Sequence, residues 1–272
     1  MRGVAALIAA LPLLACAAQQ KVVALGGDVT EILYALGAQT TLVARDSTSQ
    51  WPPQAQVLPD VGYLRQLNAE GILAARPTLV LASEQAQPSL ALKQVAQNGV
   101  SVVTVPGRND ISVIDEKIRV IAGALHKEKE GDALRQEIGR QLASLPASPL
   151  NKRVLFILSH GGMSAMAAGQ QTAADTAIRA AGLQNAMQGV NRYQPLSQEG
   201  VIASQPDLVV ISREGVASMG GEAALWKLPG LAQTPAGRHQ QALLVDDMAL
   251  LGFSIRTPDA LNQLRQKAEL LP

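Results

Sequence analysis

Apolar positions along this chain switch between two spacings, and the switching sets the expected elements. Lys21–Leu25 carries an unbroken apolar run that reads as a strand, and Gly26-Gly27 reads as a turn. Ile32, Leu33 and Leu36 then fall on one face at helical spacing. Asp28 is the expected N-cap of that helix, Glu31 three residues on would complete a capping box, and Gly37 ends it. Leu67–Ala75 follows as a helix, Thr78–Ala82 as a strand, Leu90–Asn98 as a helix and Val100–Val105 as a strand. Such β-α alternation predicts a parallel sheet covered on both faces.

From Ser112 to Leu145 no proline interrupts the chain, and apolar residues from Val113 to Leu142 keep near-helical spacing. One helix about 50 Å long is expected, with a kink near His126–Gly131. Pro146 and Pro149 stop it, and Val154–Leu158 restarts the β-α pattern. The second half echoes the first. Leu67–Ser83 aligns without gaps on Leu196–Ser212, 129 residues further on, with eight of seventeen residues identical, Glu70 and Glu199 among them. A weaker echo relates Thr30–Gly37 to Asp175–Gly182. The expected fold is α/β: two similar lobes with mainly parallel sheets, residues 18–110 and 149–272, joined by one long linker helix over 111–148. The cleft between such lobes is the default ligand site.

The N-terminus points to export. A single basic residue, Arg2, precedes the apolar run Val4–Ala18, which is too short to span a bilayer and ends in small residues. Residues 1–17 therefore read as a signal peptide. Leu13-Leu14-Ala15-Cys16 also resembles a bacterial lipoprotein cleavage box, in which Cys16 would become a lipid-anchored first residue; Leu14 favours ordinary cleavage. No later segment approaches a membrane span. Lys+Arg 23 against Asp+Glu 22 gives a net charge of +1, which argues against nucleic-acid binding. The single cysteine excludes an internal disulfide and any multi-cysteine metal site. None of the glycine pairs belongs to a nucleotide-binding GxGxxG or GxxxxGK.

Several segments carry a family resemblance that covers nearly the whole chain. These are the exported start, Gly26–Glu31, Leu58-Pro59-Asp60-Val61-Gly62-Tyr63-Leu64-Arg65, His160-Gly161-Gly162, Ala167–Asp175 and Leu243–Gly252. Together they resemble the periplasmic haem-binding proteins of bacterial ABC haem importers. That family is a branch of the substrate-binding proteins with a rigid helical linker, which also includes cobalamin and siderophore binders. The resemblance implies a soluble, monomeric, non-enzymatic carrier in the periplasm. Its ligand would be ferric haem, delivered to a dimeric inner-membrane permease with ATPase subunits.

The candidate site follows. Tyr63 sits on a predicted loop at the end of a β-α unit, where cleft residues of open α/β sheets gather. From position alone a tyrosine packing at a lobe edge is the favoured reading. With the resemblance, its phenolate becomes the expected ligand of ferric iron. Arg65 is a candidate partner of that phenolate or of a haem propionate, beside its reading as a solvated arginine. Arg213, after a second-lobe strand, is a candidate haem contact. His160 ends a strand and precedes two glycines that let a large flat ligand approach; some relatives use a histidine here for a second, stacked haem. Met163 is a candidate cleft-lining residue. Glu70 and Glu199, at matching positions in two helix first turns, are expected to be exposed and to dock on basic pockets of the permease.

Two rival readings differ in class. A ferric-siderophore or cobalamin carrier would share the fold, but seven aromatic residues (two Trp, three Tyr, two Phe) are few for gripping a siderophore. A periplasmic hydrolase lacks support, because HExxH, GxSxG and a histidine cluster are absent from the sequence. Ser159 and His160 are neighbours in a strand, so they point to opposite faces.

Overall fold

The computed structural model describes residues 20–272 apart from Ala147 and Gly162. The signal-peptide and lipidation readings of residues 1–17, with Cys16, lie outside the described residues. In the first lobe the strands are β1 (Val22–Leu25), β2 (Leu42–Arg45), β3 (Leu79–Ser83) and β4 (Ser101–Val105), ordered β2-β1-β3-β4 and all parallel. The helices α1 (Gly27–Ala35), α2 (Ala69–Ala74) and α3 (Ser89–Gln97) connect them. Every residue of β1 and β3 is buried. A central parallel strand covered on both faces must be apolar throughout, which is why these runs show no alternation.

The second lobe holds β5 (Arg153–Leu158), β6 (Met166–Ala168), β7 (Gln184–Asn185), β8 (Tyr193–Pro195), β9 (Leu208–Ser212) and β10 (Ala242–Val245). Its sheet runs β10-β9-β5-β6-β8, with β7 also paired to β5. The sheet is mainly parallel, as expected, with one antiparallel addition. β10, β9, β5 and β7 are parallel, but β6 pairs antiparallel with both β5 and β8. Both strands are only three residues long, too short to leave a periodic signature. The 129-residue repeat survives as structure: α7 (Gln198–Ser204) and β9 occupy the places of α2 and β3.

The single long linker helix is not present. α4 (Val113–Ala124) and α5 (Glu128–Ala143) are separate helices. The break falls at Leu125–Lys127, where His126 adopts a φ of 54°. The two fold back on each other as a hairpin. Arg135 of α5 reaches Asp115, near the start of α4, at 2.7 Å, and Gly131 lies against Ala122. The apolar spacing was correct on both sides of the break, but spacing alone does not distinguish one helix from two stacked ones.

The second lobe continues with α6 (Ala173–Ala180), α8 (Arg213–Ser218), α9 (Glu222–Leu225), α10 (Pro235–Arg238), α11 (Asp247–Leu251) and α12 (Thr257–Glu269). One apolar cluster runs through both lobes, from Val22, Leu33 and Ile118 to Phe156, Val210 and Leu261. Polar bonds add to it. Lys117, 3% exposed, bonds Asp28 of α1 at 2.5 Å and the carbonyls of Gly252 and Phe253 at 2.7 and 3.1 Å. Arg256 donates to the buried Glu31 at 2.9 Å and to Asp246 at 2.9 Å.

These contacts also correct the capping box. The N-cap of α1 is Gly26, at φ 128°, where a side chain would be strained. The free N–H groups of Gly26 and Gly27 are taken by Asp46 Oδ1 and Thr48 Oγ1 at 2.9 and 3.0 Å. Asp28 and Glu31 are thereby left to bind the other lobe and its linker.

Candidate functional site

Parallel strands deliver all their carboxyl ends to one edge, so each lobe presents one rim of loops. In the first lobe the loop bearing Tyr63 is braced against β2. Residues 59–61 run beside Arg45: its N–H donates to the Pro59 carbonyl, its carbonyl accepts from Val61 N–H, and its guanidinium pairs with Asp60 at 2.6 Å. Gly62 turns the chain at φ 102°, bonding Asp60 Oδ1 through its N–H and Ser47 N–H through its carbonyl. Leu64 is buried and pins the far side. Between these two anchors the Tyr63 side chain stands 44% exposed. A phenol on a fixed backbone with an open ring is arranged to meet something from outside.

Arg65 does not bond Tyr63. Its Nη2 donates to Gln85 Oε1 at 2.9 Å, and Gln85 Nε2 donates to the Gly107 carbonyl at 3.3 Å. The cation is thus held over the ends of β3 and β4, exposed along the same rim.

On the second-lobe rim, Ser159-His160 follow β5, Arg213 follows β9 and Asp246-Asp247 follow β10. These strands are neighbours in register, Ile157 beside Ile211 and Ser212 beside Val245, so their ends share one edge. His160 is half-buried while Ser159 is buried, and both lie past the end of β5. The His160 carbonyl accepts from Met163 N–H at 2.9 Å, and the turn leaves Met163 55% exposed. A Cβ at Gly161 would meet nothing within 4 Å. Arg213 opens α8, exposed, with Ser212 Oγ capping the helix at Gly215 N–H.

Two residues without a role in the sequence reading belong to this edge. Asp247 is pushed up to about 6 by burial, opposed by the charge of His160 and the Ser212 hydroxyl. Tyr193 is pushed up to about 12 by burial and by the charge of Asp247, opposed by the charge of Arg65. Tyr193 was visible as one of three tyrosines, but the strand that carries it was not. Asp247 lies within Leu243–Gly252, a segment the sequence reading used only for the family resemblance.

Glu70 and Glu199 are both exposed at the second position of α2 and α7. The caps are Asn68 and Ser197, which accept from Gly71 and Gly200 N–H at 2.6 and 3.1 Å. Neither glutamate is needed to close its helix. An open groove of about 570 Å³ beside Tyr34, Pro52, Val57 and Leu58 carries none of the site residues.

Comparison with known proteins agrees with this architecture. The family model described as periplasmic binding protein matches residues 22–248. The apo structure of the periplasmic heme-binding protein RhuT from Roseiflexus sp. RS-1 superposes with a TM-score of 0.88 at 38% identity, covering 92% of this chain and 97% of its own. The periplasmic heme-binding protein BhuT in complex with two hemes superposes with a TM-score of 0.84 at 42% identity, covering 92% and 97%. The vitamin B12-binding protein of Pectobacterium carotovorum subsp. carotovorum is 28% identical over 202 residues, 72% of each chain.

Proposed function

Because this chain belongs to the periplasmic binding protein family, we propose that it is a haem carrier of the periplasm, binding ferric haem in its interlobe cleft and passing it to an ABC permease of the inner membrane. The observation that carries this reading is the exposed Tyr63 phenol on a braced loop at the first-lobe rim. A phenolate is a hard anionic ligand suited to ferric iron, and tyrosine ligation of haem is a known mode. Arg65 and Arg213 stand on opposite rims as exposed cations for the propionates, with Met163 as apolar lining. His160, beside Gly161, is suited to hold a second haem.

The carrier needs no chemistry on its cargo, only a grip and a docking face. Glu70 and Glu199 form that face: two equivalent, exposed carboxylates, one per lobe, neither in an ion pair among the described residues. A permease of two like subunits would present a matching pair of basic pockets.

Titration of the apo-protein with hemin, followed by absorbance, tests the reading. A saturable Soret band with ferric-tyrosinate features is expected, with two haems at saturation. The likeness to a vitamin B12-binding protein makes a corrinoid the competing cargo. A parallel titration with cyanocobalamin is expected to give no binding; saturable cobalamin binding without a hemin response would replace the haem reading.

A further inference from the structure

We propose that Gln85 is a positioning residue for Arg65: its side-chain amide holds the guanidinium in place at the first-lobe rim, ready for a haem propionate. The inference rests on the haem reading above and extends it to a residue behind the cation.

The two side chains meet on a fixed frame. Ser83 and Val105 are paired at the carboxyl ends of β3 and β4, so the turns that follow lie side by side. Glu84 N–H donates to the Val105 carbonyl at 2.8 Å, and Glu84 Oε2 accepts from Gly107 N–H at 2.9 Å. The loop of Tyr63 is tied to the same turn through its main chain. Gln87 N–H donates to the Leu64 carbonyl at 2.8 Å, and Leu67 N–H donates to the Gln87 carbonyl at 2.9 Å. Arg65 lies between those two anchors in the chain, and Gln85 lies two residues before Gln87. The backbones that carry Arg65 and Gln85 are therefore locked to each other before either side chain is placed.

One orientation of the Gln85 amide fits this frame. The Gly107 carbonyl can only accept, so it takes Nε2 at 3.3 Å and leaves Oε1 as an acceptor. The donor that Oε1 meets is Arg65 Nη2, at 2.9 Å. Both side chains are exposed, and a hydrogen bond between exposed groups adds little to folding because water can replace it. Its effect is to fix a long side chain that otherwise samples many rotamers. A guanidinium has five N–H donors and this bond uses one of them. Arg65 is in no ion pair among the described residues. An acid at position 85 would neutralise the cation, whereas a neutral amide leaves its charge whole for a carboxylate, which a guanidinium meets through two parallel bonds. A cation ordered before the ligand arrives spares the binding step the cost of ordering it.

The test compares hemin with hemin dimethyl ester, in which both propionates are capped, on wild type, Gln85→Ala, Arg65→Ala and the double variant. Q85A should keep the wild-type unfolding midpoint and the tyrosinate bands, because the main-chain bonds of both turns remain. It should bind hemin about 3–10-fold more weakly, the cost of ordering one long side chain. It should bind the ester no more weakly than wild type does. R65A should lose more hemin affinity than Q85A, and adding Q85A to R65A should cost nothing further. Q85E, whose carboxylate would pair with Arg65 and repel a propionate, should weaken hemin binding more than Q85A. In the apo-protein, nitrogen-15 relaxation should show a rigid Arg65 Nε–H in wild type and a mobile one in Q85A, the signal being identified by its absence from R65A. Wild-type hemin affinity in Q85A, equal losses for hemin and its ester, additive losses in the double variant, or an Arg65 as mobile in wild type as in Q85A would overturn the role of Gln85 and leave the haem reading intact. A wild type that gives no saturable hemin binding would overturn the haem reading and the inference with it.

Discussion

At the scale of single residues, position in the fold decides whether a polar side chain serves the ligand or the chain itself. Tyr63 and Asp46 lie seventeen residues apart on the same first-lobe rim and have opposite fates. Tyr63 gives its backbone to the loop and leaves its ring free. Tyr63→Phe removes only the phenolic oxygen, so folding should be unchanged. Affinity for the first haem should fall by more than about 100-fold, beyond the 10–100-fold cost of losing a group that merely supports a ligand. The ferric-tyrosinate bands should disappear from the absorbance spectrum, and an unchanged spectrum would return Tyr63 to a packing role. Asp46, by contrast, is fully buried. It accepts from Gly26 N–H at 2.9 Å, Thr48 N–H at 3.0 Å, Thr48 Oγ1 at 2.7 Å and Ser49 Oγ at 2.8 Å. Asp46→Ala would strand several donors at once, including the N–H of Gly26, the N-cap of α1. A loss of about 3 kcal/mol or more is expected in urea denaturation, with no direct effect on haem ligation.

At the scale of elements, α5 offers two glycines whose surroundings differ. A Cβ on Gly131 would stand 2.5 Å from Ala122 Cβ, whereas one on Gly139 would meet nothing within 4 Å. Helix propensity alone favours Ala at both positions by about 1 kcal/mol. Gly139→Ala should therefore stabilise the protein by about 0.5–1 kcal/mol. Gly131→Ala should destabilise it by about 1–3 kcal/mol, because the α4–α5 hairpin must part. Thermal unfolding of the two variants reads the difference; matching shifts would mean the hairpin is not closely packed. The same hairpin marks the limit of what was legible in the sequence. β1, α1, β3, α3, β4 and β5 could be read from apolar runs and spacing, since each buries a continuous face. The 129-residue echo correctly paired α2 and β3 with α7 and β9. The helix break could not be read, because a positive φ at His126 has no apolar signature. Nor could β6 and β8, whose three residues hide Tyr193. Tyr63 and His160 were legible because strand-end loops follow directly from the strands. Asp247 and the true partners of Asp28 and Glu31 depend on packing between segments more than 80 residues apart, which local pattern does not encode.

At the scale of the whole molecule, the lobes are held together by a shared core and by buried charges at the seam, and the charges give that attachment a pH dependence. Glu31 is fully buried. Its carboxyl is raised above its ordinary value by burial, against the opposing hydrogen bond and charge of Arg256. Arg256 also bonds Asp246 of its own lobe and lies 5.1 Å over the ring of Trp51 in the first lobe, so one side chain reaches both Glu31 and Trp51 across the seam. Arg256→Gln would leave Glu31 buried without its cation, at an expected cost of about 3 kcal/mol at neutral pH. The sign with pH follows from the direction of the shift. An acid raised in the folded state adds stability below its unfolded value of 4.5 and loses it as pH climbs through the folded value. Removing Arg256 removes the influences that lower the folded value, so it climbs further. The deficit of R256Q relative to wild type should therefore be largest at neutral pH and shrink on acidification toward the unfolded value of 4.5, as Glu31 takes up a proton and no longer needs a cation. Asp246 works the other way. It is lowered despite burial, through its bonds to Arg256 and to helix N–H groups, so its share of the deficit persists until pH falls below its ordinary 3.8. Urea denaturation of both proteins at several pH values between 5 and 7 measures the difference directly. A deficit that stays constant or grows on acidification would mean that Glu31 does not carry the seam.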